Sequence, residues 1–367
     1  MKEVLAIGSE ISEPPLVTSY QALLQNNDFH SHLKTESIVQ EIDLPMIDLC
    51  NIQSENREKR RLCAEEIVKA ASEWGFFQVL NHGISLELLE EIKREQVKLF
   101  RLPFEKKVSS GILNDSYRWG NPAALSVDQF SWSEAFHVPL DKISDEDCNH
   151  GEFSSLRESM KNLGMAMSNL GRALADVLVQ NLGYSCGNFP KNCDEKTCFL
   201  RLNRYPPCPF SRPETGAACG LVSHTDSDYL TILYQDHVGG LQVMKDSRWV
   251  AVRPNRNALI VNIGDLFQAW SNDAYKSVEH RVITNAKRER YSIAYFVCPS
   301  YDSTIGAYAQ PSRYRSFTFG EYRKQVQDDV KRTGKKFDML GRGYLEETKT
   351  KARKGEKDKK KKNLIHI

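Results

Sequence analysis

Between Gly183 and Ser300 the chain runs in short segments of alternating apolar and polar residues, separated by turn residues. A period of two puts every second side chain on the same face of a strand, so such runs read as half-buried β-strands. The pattern predicts strands at Thr197 to Tyr205, Leu221 to Gln235, Gly240 to Met244, Trp249 to Val252, Ala258 to Ile263, His280 to Thr284 and Tyr291 to Val297. Gly239-Gly240 and Asp246-Ser247 supply hairpin chemistry. Seven or eight short strands with no helix between them point to a β-sandwich. Helical periodicity lies outside this block. Apolar residues recur at three and four positions from Glu55 to Trp74, and Ser85 is placed to cap a second helix. Phe153 to Leu182 carries a stripe of Leu156, Met160, Leu163, Met167, Leu170, Leu174, Val177 and Leu178, which predicts a long helix backing a sheet. Phe319 to Thr333 reads as a final helix.

One segment of the β block carries chemistry. In LVSHTDSDYLTIL, His224 and Asp226 stand two apart and would share a strand face, offering one imidazole and one carboxylate to a single ion. A second histidine from a distant strand would complete the facial triad that suits non-haem Fe(II), and His280 in SVEHRV is the candidate. Arg290 and Ser292 repeat the same spacing with a guanidinium and a hydroxyl. Arg meets a planar carboxylate through two parallel hydrogen bonds, so this pair suits the remote carboxylate of a co-substrate. Tyr205 ends a strand against Pro206-Pro207, where its hydroxyl either reaches the same co-substrate or simply packs. With the triad, the sandwich becomes a double-stranded β-helix of the jelly-roll type. The fold class is therefore mixed and mainly β, a jelly-roll core backed by helices with a helical and mixed N-terminal region.

Residues 114 to 140 are dense in aromatic and charged side chains. Tyr117, Arg118, Trp119, Trp132, Glu134 and Phe136 would suit a pocket for a rigid hydrophobic acid, with Arg118 for its carboxylate; the same stretch also reads as a covering loop and an edge strand. His82 sits in an Asn-His-Gly turn without a partner at ligand spacing, so it reads as a group satisfying local backbone.

Taken together, WGFFQVLNHGI from Trp74, RLNRYPPCP from Arg201, HTDSDYLTIL from His224, GGLQV from Gly239, NIGDLFQAWSN from Asn262, SVEHRV from Ser277 and RYSIAYF from Arg290 resemble the plant 2-oxoglutarate and Fe(II)-dependent dioxygenases. The resemblance spans residues 44 to 335. It implies His224, Asp226 and His280 as iron ligands and Tyr205, Arg290 and Ser292 as 2-oxoglutarate ligands, with Asn203 near the metal and Phe296 facing substrate. SYRWGNPAA from Ser116 and FSWSEAFHVPL from Phe130 are similar to gibberellin 2-oxidases, in particular those acting on twenty-carbon gibberellins. That likeness implies 2β-hydroxylation of a gibberellin acid, which inactivates the hormone pathway, with dioxygen and 2-oxoglutarate consumed and ascorbate as reductant. Residues 1–40 lack sustained periodicity and read as a loosely attached arm; the resemblance implies an N-terminal oxygenase region over 41–150 and the oxygenase core over 151–335, and a basic tail follows over 336–367. The tail departs from the family pattern.

Composition limits the alternatives. Between Lys349 and Lys362 nine Lys/Arg face two acids, a local charge of +7 against a chain total of +2, so the remainder carries about −5 and is a poor nucleic-acid binder. The tail reads as a solvated end or as a nuclear-localisation patch. Nine scattered cysteines without paired spacing predict reduced thiols. No apolar run reaches the length of a membrane helix and no signal peptide is evident, so the expectation is a soluble protein, cytoplasmic or both cytoplasmic and nuclear. No oligomeric state follows from the residues. The rival readings are another gibberellin, flavonoid or alkaloid oxygenase, and a non-catalytic binding protein on the same fold.

Overall fold

The computed structural model describes residues 13–24, 39–109, 111–121, 124, 126, 129–144, 153–184, 193, 195–210, 219–333 and 336. The basic segment from 349 to 362 lies outside them.

The strands of the two large sheets are β1 (Gln40–Ile42), β2 (Met46–Asp48), β3 (Phe76–Leu80), β4 (Tyr117–Trp119), β5 (Glu134–Pro139), β6 (Phe199–Tyr205), β7 (Cys219–His224), β8 (Leu230–Gln235), β9 (Leu241–Lys245), β10 (Arg248–Val252), β11 (Leu259–Ile263), β12 (His280–Ile283) and β13 (Arg290–Val297). The longer helices are α1 (Arg57–Glu73), α2 (Leu86–Phe100), α3 (Ser154–Asn181) and α5 (Phe319–Thr333), with a six-residue α4 (Asp265–Trp270) between β11 and β12.

Two sheets face each other. One has the strand order β1-β10-β9-β12-β7, and the other β2-β3-β11-β8-β13-β6-β5-β4. The core is a double-stranded β-helix, or jelly roll. Alternation along β6 and β13 divides their side chains. Leu200, Leu202, Ile293 and Tyr295 join the apolar core with Leu163, Met167 and Leu174 of α3, while Arg201, Asn203, Tyr205, Arg290, Ser292, Ala294 and Phe296 turn toward the smaller sheet. Phe76, Tyr205, Leu241, Val243, Ile260 and Val282 close the space between the sheets.

Local signals place the helices where periodicity predicts. Asn56 caps α1 by accepting the Glu58 and Lys59 amides at 3.0 and 3.1 Å, and Ser85 caps α2 by accepting the Leu88 amide at 3.2 Å. On α3 the expected stripe is buried apart from Val177, which is half-buried. Gly171 lets this helix approach the sheet, since a Cβ there would stand 3.0 Å from Val297 Cγ2.

Three expectations change. The run expected as one strand from Leu221 to Gln235 is two strands, β7 and β8, joined by a bent loop. The carbonyls of Asp226, Asp228 and Tyr229 there accept amides from Asp265, Leu266 and Gly264 at 2.9, 3.0 and 2.9 Å instead of joining a ladder. That contact requires α4, a helix within the β block that is too short to display a helical period. Residues 13–24, read as part of a loose arm, are packed. Leu16 and Tyr20 are buried with Phe130, Trp132 and Cys208, and Tyr20 Oη donates to the Ser131 carbonyl at 2.8 Å. Among the described residues Cys50, Cys63, Cys193, Cys198, Cys208 and Cys298 are reduced thiols.

Candidate active site

His224 ends β7 and His280 begins β12, and the two are register partners on adjacent antiparallel strands. Their rings lie 4.3 Å apart between centroids. Asp226 reaches them from the loop after β7, so the shared strand face expected for His224 and Asp226 is replaced by a strand end and a bend. The donor atoms of His224, Asp226 and His280 all lie within 4.8 Å of one another. Asp226 Oδ1 is 3.5 Å from His224 Nε2 and 3.7 Å from His280 Nε2.

The surroundings orient these groups. His224 Nδ1 lies 2.8 Å from the Val222 carbonyl and His280 Nδ1 lies 3.1 Å from that of Val278. An N–H on each Nδ1 donates to its carbonyl and leaves the Nε2 lone pair facing Asp226, the tautomer that binds a metal. Thr231 Oγ1 and Asn262 Nδ2 donate to Asp226 Oδ2 at 2.6 and 2.9 Å, which leaves Oδ1 free. Burial opposes ionisation of Asp226, but the adjoining His280 and His224 imidazoles and the hydrogen bond from Thr231 outweigh it and hold the carboxyl far below its usual range. Burial and the nearby His224 push His280 down to about 4, so its imidazole is neutral at physiological pH. Neutral imidazoles and one carboxylate are the donor set of a three-ligand iron centre with positions left open.

Two cavities meet at this triad. The inner one, about 50 Å³, is lined by Asn203, Tyr205, Arg290, Ser292 and Phe296 among others. Arg290 is buried, donates to Gln235 Oε1 at 2.7 Å and Ser292 Oγ at 3.2 Å, and stacks 4.9 Å over the Tyr205 ring. Its Nε has no partner, and it makes no ion pair among the described residues. A buried cation without an anion is strongly unfavourable, so the pocket suits a carboxylate. Asn203 donates weakly to Ser292 Oγ at 3.4 Å, and its Oδ1 is unpartnered.

The outer cavity, about 430 Å³, opens between β6, β13 and α5. Phe296, stacked on Phe199 at 4.4 Å, forms its floor, and Val326 and Val330 of α5 form its wall. Arg201 lines both cavities. It makes no hydrogen bond through its side chain and no ion pair among the described residues, and burial lowers its pKa.

The pocket residues expected from 114 to 140 stand elsewhere, and none lines either cavity. Glu134 is a buried counter-ion: Lys107 Nζ and Arg204 Nη1 bind its two oxygens at 2.5 and 2.6 Å, and Tyr117 Oη donates to it. Phe136 is core. Trp132 packs in the cluster with Tyr20, and Trp119 lies against that cluster and the main core. Arg118 is exposed and donates to the carbonyls of Asp115 and Tyr117 at 2.7 and 2.6 Å. His82 Nδ1 accepts the Ile84 amide at 3.2 Å, the local role its turn suggests. Sequence reading missed Arg201, although it stands two residues before Asn203 on the same strand face. It also missed Thr231 and Asn262; Asn262 was visible as a polar residue inside the apolar run Leu259–Ile263.

Residues 196–299 match the family model of the 2OG-Fe(II) oxygenase superfamily, and residues 44–162 that of the non-haem dioxygenase in morphine synthesis N-terminal region. Gibberellin 2-beta-dioxygenase 6 of Oryza sativa subsp. japonica is 54% identical over 343 residues, covering 89% of this chain and 95% of that protein. The chain belongs to the 2OG-Fe(II) oxygenase superfamily. A second relative of this oxygenase, gibberellin 2-beta-dioxygenase 8 of Arabidopsis thaliana, is 49% identical, covering 88% of this chain and 96% of the relative. Its fold is shared with JOX2, solved in complex with 2OG, Fe and JA, at a TM-score of 0.66 and 32% identity, covering 84% of this chain and 92% of that one. The oxygenase therefore uses Fe(II) and 2-oxoglutarate and acts on a small molecule. Among its described residues, no helix is long and apolar enough to cross a membrane.

Proposed function

We propose that this oxygenase 2β-hydroxylates gibberellin acids, twenty-carbon gibberellins in particular, and so removes them from the active hormone pool. The observation that carries the reading is Arg201, a guanidinium with no ion pair among the described residues, in a cavity of about 430 Å³ whose floor is aromatic and whose wall is aliphatic. That volume lies within the roughly 300–1,000 Å³ of small-molecule sites. A rigid hydrocarbon skeleton bearing a carboxylate complements such a surface, and the relatives named as gibberellin 2-beta-dioxygenases supply the class.

In this reading His224 Nε2, His280 Nε2 and Asp226 Oδ1 hold the iron. Iron with 2-oxoglutarate supplies the oxidising chemistry at the C–H bond. Arg290, with Ser292 and Tyr205, grips the remote carboxylate of 2-oxoglutarate, and Asn203 lines the same cavity. Arg201 takes the substrate carboxylate in place of Arg118, while Phe199, Phe296, Val326 and Val330 exclude water and orient the skeleton.

Purified protein supplied with Fe(II), 2-oxoglutarate and oxygen should release succinate faster when a twenty-carbon gibberellin acid is added, with a product heavier by one oxygen. Arg201→Met should raise the KM for that acid by about 10- to 100-fold, the worth of a charged hydrogen bond, and Arg118→Ala should leave it unchanged. Succinate release indifferent to every gibberellin offered would sink the substrate assignment.

A further inference from the structure

Next to the triad lies a carboxylate that the reading above leaves unused. Asp265 opens α4 and is almost fully buried. Its Oδ1 accepts Ser277 Oγ at 2.7 Å. Its Oδ2 accepts Thr225 Oγ1 at 3.1 Å, Lys336 Nζ at 2.5 Å and the Tyr322 hydroxyl. Lys336 Nζ also donates to the Thr225 carbonyl at 2.6 Å, and the Asp265 amide donates to the Asp226 carbonyl at 2.9 Å.

The partners are placed at the triad's supports. Thr225 is the residue between His224 and Asp226. Ser277 precedes Val278, whose carbonyl orients the His280 ring. Tyr322 belongs to α5, and Lys336 follows that helix in the chain. One side chain therefore ties both arms of the triad to the C-terminal helix and the residue beyond it.

We propose that Asp265 is a positioning residue for the iron site, and that Tyr322 and Lys336 couple metal affinity to the docking of the C-terminal helix. The proposal rests on the assignment of His224, Asp226 and His280 as iron ligands. The β7–β12 ladder pairs His224 with His280, whereas Asp226 hangs from the bend beyond it; Asp265 anchors that bend through Thr225 and the segment leading into β12 through Ser277. Thr225 receives two contacts, one to its hydroxyl from Asp265 and one to its carbonyl from Lys336, so the short link between His224 and Asp226 is held at both ends. Residues that orient metal ligands in this way typically cost 10- to 100-fold in metal affinity when removed.

A buried ion pair could equally serve stability alone, and the two roles separate experimentally. Asp265→Asn strands Lys336 and risks misfolding, so the informative variants are Lys336→Met and Tyr322→Phe in the full chain. Binding of Fe(II) alone, without 2-oxoglutarate or gibberellin, would be measured anaerobically by calorimetry, beside the melting temperature of the metal-free protein. Both variants should bind Fe(II) about tenfold more weakly while folding to the native state, and Lys336→Arg should recover part of the loss. Unchanged Fe(II) affinity in both variants, whatever their melting temperatures, would overturn the proposal. Wild-type protein that binds no Fe(II) would overturn the ligand assignment and the proposal with it.

Discussion

Arg290 and Glu134 show how differently two buried charges can be used. Arg290 donates hydrogen bonds to neutral groups and meets no anion among the described residues. Arg290→Lys keeps the charge but loses the planar fork, so the KM for 2-oxoglutarate should rise by about tenfold or more, with binding of Fe(II) alone unaffected; an unchanged KM would remove Arg290 from the co-substrate site. Glu134, by contrast, is bound by two buried cations and a tyrosine hydroxyl. Glu134→Ala leaves Lys107 and Arg204 without their shared partner and should cost about 3–5 kcal/mol of stability, read as a fall in the denaturation midpoint. Arg290 and Ser292 were legible because their spacing alone puts them on one face. Glu134 was not, because its partners Lys107 and Arg204 are 27 and 70 residues away in the chain.

At the scale of elements, the proposed iron site would depend on the fit between α4 and the loop from Thr225 to Tyr229, whose carbonyls accept the Gly264, Asp265 and Leu266 amides. Gly264 sits at that contact: a Cβ there would lie 2.2 Å from the Asp228 carbonyl oxygen, which is backbone and cannot swing aside. Gly264→Ala should therefore displace the loop, costing about 1–3 kcal/mol by overpacking and weakening Fe(II) binding; calorimetry and thermal denaturation would show both losses together. Wild-type metal affinity in this variant would mean that the loop does not carry the triad's geometry. The long helices were legible at this scale because 3.6-residue periodicity accumulates over several turns, as it does along α3. The six residues of α4 are too few for that signal, and five of them are buried. The bend between β7 and β8 escaped for a related reason: its residues keep an apolar alternation on either side, and only the amides of Gly264, Asp265 and Leu266 reveal where the ladder stops.

At the scale of the whole molecule, iron held by His224, Asp226 and His280 would tie two strands and a loop together, so binding it should stabilise the folded chain by mass action. Fe(II) at one hundred times its dissociation constant contributes about 2.7 kcal/mol. The melting temperature should rise on anaerobic addition of Fe(II) and fall again with a chelator, and His280→Ala should abolish the shift. A shift that survives in His280→Ala would place the metal elsewhere. The sequence by itself determined the strand-rich core, the helices that back it and the side-chain types along β6 and β13, because the facing of neighbours along a strand or helix is set by local geometry. Tertiary structure decided the rest. It brought His224 opposite His280, placed Asp226 in a loop, joined Asp265 to Thr225, Ser277, Tyr322 and Lys336, and, among the described residues, left Arg201 and Arg290 without anions while pairing Arg204. Whether a charge is satisfied or waiting for a ligand depends on partners far along the chain, and only the packed fold brings those partners together.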